Sequence, residues 1–101
     1  MVQSHSFPVG KLVFKSKADF IRRCREAIRR AAVDTVMTGE DEGLAAAILN
    51  ARLDKVSELR GRLVVRYWRK AHKFNTVSFS AELNDGEFLD FSFMKLTLPL
   101  R

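Results

Sequence analysis

The sequence predicts a two-layer α+β domain in the order β-α-α-β-β-β, an antiparallel sheet with two helices packed on one face. Three observations predict it. Apolar residues recur at helical spacing over residues 17–53, they alternate at strand spacing over the last third, and Asn84-Asp85-Gly86 joins two of the alternating runs. The 101 residues make one domain, and a hydrophobic fraction of 47% with eight Phe is enough for a core without staples.

Residues 1–10, polar and punctuated by Pro8 and Gly10, are read as a flexible lead-in to a single domain over 11–101. Lys11-Leu12-Val13-Phe14 is a short strand. Ser16 stands three residues ahead of Asp19, so it caps a helix expected over 17–33. Phe20, Ile21, Cys24, Ala27, Ile28 and Ala31 form its apolar face, which makes Cys24 a core residue. Its other arc carries Arg22, Arg25 and Arg29, flanked by Arg23 and Arg30, with Glu26 at pairing distance from several of them.

Thr38 opens a second helix, expected over 40–53, and Glu40, Asp41 and Glu42 suit its positive end. Consecutive residues of a helix point in different directions, so the acidic triplet is read as helix-end electrostatics rather than a metal site. Residues 54–60 are a connector, Gly61 turns into a strand over 62–69, and 70–75 form a basic loop. Two strands follow, over 76–83 and 87–94.

The register of the last hairpin follows from its side chains. A two-residue Asp-Gly loop would set Leu83 opposite Phe88 and mix core with solvent residues on both faces. A three-residue loop ending in a left-handed Gly86 pairs Ala81 with Leu89, Phe79 with Phe91 and Val77 with Phe93, all apolar. Ser78 then lies opposite Ser92, and Ser80 opposite Asp90, pointing away from the core. With Leu63, Val65 and Tyr67 inward, Arg62, Val64, Arg66 and Trp68 face outward, on a side that two helices cannot cover.

The net charge of +6 is unevenly placed: residues 11–30 and 60–73 are basic, while Glu40-Asp41-Glu42 and residues 82–90 are acidic. Such blocks suit a polyanion or an acidic protein partner, or form a solvated surface. Arg62, Arg66, Arg69, Lys70 and Lys73 with Trp68 supply what single-strand RNA recognition needs, cations for phosphates and an aromatic for a base. The same open face, with Val64, Trp68 and Phe88, suits a protein partner instead.

The sequence predicts no enzyme and no cofactor. His5 lies in the lead-in and His72 in the basic loop, Asp90 has Arg66 nearby as an ion-pair partner, and no phosphate loop, nucleophile elbow or zinc spacing is present. No small-molecule substrate is evident. Membrane attachment is not expected, because no apolar run approaches the ~20 residues of a span. With one cysteine and no secretory signal at the N-terminus, the expected location is the cytoplasm.

Phe14-Lys15-Ser16-Lys17 before a helix, Asn75-Thr76 at a strand start, Asp85-Gly86 at a turn, and Asp90-Phe91-Ser92-Phe93 followed by Lys95 carry a family resemblance. Over residues 12–96 the chain resembles the DCL (defective chloroplasts and leaves) family, whose domain also occurs in the tails of plant-specific RNA polymerase largest subunits. It departs from that pattern where the family has His-Pro after its second helix and Cys after the final Lys; here stand Arg52-Leu53 and Leu96. The resemblance implies a link to ribosomal RNA processing and RNA-polymerase-associated work, with no established catalytic activity.

Overall fold

The computed structural model describes residues 6–71 and 76–97. The expected two-layer α+β architecture is what forms. Nine elements run in the order β1 (Phe7–Val9), β2 (Leu12–Phe14), α1 (Lys17–Arg29), β3 (Thr35–Val36), α2 (Gly39–Ala51), α3 (Leu53–Leu59), β4 (Val64–Ala71), β5 (Val77–Leu83) and β6 (Phe88–Phe91), and a 3-10 turn, Phe93–Thr97, follows. The main sheet is antiparallel in the order β3-β4-β5-β6, and β1 and β2 form a separate hairpin.

The lead-in expected over residues 1–10 ends in structure. Phe7–Val9 pairs with Leu12–Phe14 across a two-residue loop that starts at Gly10, whose φ of +60° suits glycine. Val9 is buried and the Phe7 ring lies 5.1 Å from that of Phe20, so this hairpin closes the core from one end. Residues 1–5, with His5, lie outside the described residues.

Ser16 caps α1 as expected: its side chain accepts a hydrogen bond from the Asp19 N–H at 3.1 Å. The helix buries Phe20, Cys24 and Ala27 and ends at Arg29, four residues earlier than the periodicity suggested. Past it the chain must turn at Asp34, left-handed at φ +65°, to enter the two-residue strand β3. α2 buries Leu44, Ala45, Ile48 and Leu49. It breaks at Arg52, whose backbone is extended and whose buried guanidinium reaches the Ser92 carbonyl at 3.2 Å. The segment read as a connector is α3, seven residues long and without a buried residue, so no apolar stripe announced it.

The hairpin register is the one derived from the side chains. Phe79 pairs with Phe91, Ser80 with Asp90 and Ala81 with Leu89, and Gly86 closes the loop at φ +90°. The Phe79 and Phe91 rings stack at 5.8 Å on the inner face. Pairing stops at Phe91; the 3-10 turn replaces the expected end of the strand, with Ser92 Oγ accepting from the Met94 N–H at 3.1 Å.

Strand β4 corrects one expectation. A bulge between Val64 and Arg66 shifts its register against β5, so Val64 pairs with Leu83 and Arg66 with Glu82. The extra residue reverses side-chain parity on one side of it. Val64 therefore faces the core, Leu63 and Val65 are exposed, and Arg66 and Trp68 remain on the outer face.

Candidate nucleic-acid interface

The cations expected to bind RNA on β4 are engaged by the protein itself. Arg69 pairs across the sheet with Phe79 and so points into the core, where it is 3% exposed. Its Nη2 meets Asp41 at 2.8 Å, its Nε donates to the Ala27 carbonyl at 2.7 Å, and its Nη1 reaches Thr35 Oγ1 and the Val36 carbonyl. Asp41 also holds Arg30 at 2.8 Å. Asp41, read as a helix-end charge, thus joins α1, α2 and β4. Arg69 cannot touch a phosphate without unfolding this junction.

Arg62 donates to the Leu59 and Glu58 carbonyls at the end of α3 and to Asp85 at 3.0 Å and Glu87 in the hairpin loop. It staples α3 to the β5–β6 turn. Arg66 pairs with Glu82 at 2.8 Å, where Asp90 had been its expected partner. Asp90 instead accepts from Ser80 Oγ. Trp68 donates its indole N–H to Glu82 at 2.8 Å, its ring meets Phe88 edge-to-face, and the Lys70 ammonium sits 4.7 Å from the indole and 4.5 Å from the Phe88 ring. Lys70 also pairs with Asp34 at 3.1 Å. A base could stack on Trp68 only if Lys70 left it. Lys73, His72 and Asn75 lie outside the described residues.

The residues singled out by the family resemblance occupy structural places. Phe14 ends β2 against Phe20, Ser16 is the α1 cap and Lys17 its first residue. Asp85 and Gly86 make the hairpin loop, Phe91 is core, and Lys95 is exposed in the 3-10 turn.

Two of the cations left available stand together on α1. Arg22 pairs with Asp19 and Glu26, and Arg30 with Asp41. Arg25 and Arg29 form no ion pair with any described residue. Four positions apart, they share one face with Ile28 between them. Across from them lie Thr76, Val77 and Ser78 at the start of β5, and Ser92, Phe93 and Met94 beyond β6. These walls, closed at one end by Ala31 and Val33, bound a groove of about 710 Å³. Two arginines and no described carboxylate line it. On the other side of the same arginine ridge, a second groove of about 610 Å³ runs along Ala18 and Ile21.

Sequence reasoning placed Arg25 and Arg29 on the same arc of the helix but missed the groove beside them. Its walls come from segments far apart in the chain, and Val33 was assigned to the helix. The available signal was that Arg25 has no acid three or four residues away on either side.

Cys24 is the core residue its place on the apolar face implied, and burial pushes its thiol up to about 12. Among the described residues, no group of three or more His, Cys, Asp or Glu side chains could hold a metal, and no helix is long and apolar enough to cross a membrane.

No protein-family model and no curated protein matches the chain. Its fold is similar to the solution NMR structure of an uncharacterized protein from Rhodospirillum rubrum, at 20% identity and a TM-score of 0.80, over 97% of this chain and 93% of that one.

Proposed function

We propose that the chain is a small non-enzymatic RNA-binding domain whose interface is the α1 groove rather than the sheet face. One observation carries this: Arg25 and Arg29, without a described carboxylate partner, border a groove that no described acid lines. Unpaired guanidinium groups attract phosphates and release counterions on binding. The net charge of +6 adds long-range attraction for a polyanion. The resemblance to the DCL family favours ribosomal RNA processing or polymerase-associated work as the setting, with a cytoplasmic location. The lack of enzymatic chemistry is supported by the engagement of Asp90 with Ser80 and by the buried, protonated Cys24.

A titration with single-stranded RNA across salt concentrations tests the reading. Replacing Arg25 and Arg29 together by Gln is expected to weaken binding and reduce the salt slope by roughly 1.4 units, about 0.7 for each lost phosphate contact. Arg66→Gln with Lys70→Gln should leave the slope unchanged. If the second pair, and not the first, removes the salt dependence, the interface is the sheet face.

A protein partner on the outer sheet face is a second reading, favoured by the exposed apolar side chains of Val36 and Phe88. Such a contact would hold its affinity as salt rises, which separates it from RNA.

A further inference from the structure

We infer that the groove beside Arg25 and Arg29 takes one unpaired nucleobase, so that the domain selects single-stranded RNA over duplex. The inference rests on the RNA reading above and adds what the strand must present. Phosphate contacts alone would need only the arginine ridge. They would not need a recess of about 710 Å³ walled by Ile28, Val33, Val77 and Met94.

Two of those side chains, Val33 at 43% and Met94 at 44% exposed, leave apolar surface in water at the groove. A duplex offers the ridge only phosphate and ribose and keeps its base faces stacked inside. A single strand can turn a base off the ridge and cover that apolar surface with it. The ridge suits one strand, because Arg25 and Arg29 are one helical turn apart, about 6 Å along the axis.

The groove also provides for the polar edge of a base. Ser92 Oγ accepts from the Met94 N–H at 3.1 Å, which leaves its own hydrogen to donate. That donor matches the acceptor that the pairing edge of any unpaired base presents. Duplex pairing occupies that edge. The domain therefore reads strandedness and not sequence.

The test compares three fluorescein-labelled RNAs by anisotropy at low salt with the full chain. They are a twelve-nucleotide single strand, the same strand annealed to its complement, and a single strand of equal length and charge whose nucleotides are abasic. The single strand is expected to bind roughly tenfold tighter than the abasic strand, and tighter than the duplex. Its binding should shift the methyl signals of Val33 and Met94, and the abasic strand should not. Equal affinity for all three overturns base insertion while leaving RNA binding by the arginines intact. Failure of all three to bind overturns both readings.

Discussion

Replacing Arg69 by Met separates its two contrasting roles, an RNA contact on a basic strand or a buried junction of the fold. Met keeps an unbranched apolar stem and removes the charge and every donor. Four interactions disappear: the ion pair with Asp41 and the bonds to the Ala27 carbonyl, Thr35 Oγ1 and the Val36 carbonyl. Breaking a buried pair from one side costs about 3–5 kcal/mol, because a charge is left behind. Asp41 is not wholly abandoned, since Arg30 still meets it at 2.8 Å from a more exposed position. The expected loss is therefore at the low end, about 3 kcal/mol. For a domain of this size that lowers the melting temperature by roughly 15 °C. Urea and thermal unfolding followed by circular dichroism measure it. A double variant, Arg69→Met with Asp41→Leu, should lose less than the sum of the single changes, because the orphaned charge goes too. A change within about 0.5 kcal/mol for Arg69→Met, the range of ordinary surface substitutions, would refute the buried junction. Weakened RNA binding at unchanged stability would restore Arg69 to an interface.

Two further outcomes test other parts of the structure. The Glu87 backbone N–H, and after it the Arg62 guanidinium, hold the Asp85 carboxyl below its ordinary 3.8. A carboxyl depressed in the folded state stabilises above its unfolded value and ceases to do so as pH falls through its folded one. The urea midpoint should thus fall between about pH 5 and pH 2, with a shallower fall in Asp85→Asn; equal slopes in the two proteins would exclude Asp85 as a contributor. Cys24, whose thiol burial raises to about 12, should react with iodoacetamide near pH 8 only as fast as the domain opens, and denaturant should speed the reaction steeply. Rapid modification of the folded protein would show that α1 does not bury it.

The elements legible in the sequence are those in which local pattern and tertiary packing agree. α1 has a cap and an apolar stripe. The β5–β6 register follows because only one loop length puts Phe79, Ala81, Leu89 and Phe91 on the same face. The illegible elements lack a pattern of their own. β3 is two residues long and exists because Asp34 and Met37 donate to the Arg69 and Tyr67 carbonyls on β4. α3 exposes Leu53 and half-exposes Val56, so its helical spacing points at water. β1 is held by tertiary burial of Val9 and by the Phe7–Phe20 ring contact, which no ten-residue reading can supply.

The site was harder to see because a run of basic residues does not say where its charges point or what meets them. Arg69 stands two positions after the inward Tyr67 and so shares its inward face, which its place in a basic run conceals. Acids that look remote in the chain then arrive on neighbouring elements: Asp41 for Arg69, Glu82 for Arg66, Asp85 and Glu87 for Arg62, Asp34 for Lys70. Each such pair lowers the field available to a polyanion. On α1 the outcome is different, because neighbours along a helix are fixed by spacing. Glu26 engages Arg22, Asp41 engages Arg30, and Arg25 has no acid within reach on its own helix. Arg25 and Arg29 are thus adjacent on one face of α1 with no ion pair to a described residue. The proposed RNA interface therefore draws on cations without a described partner rather than on all cations.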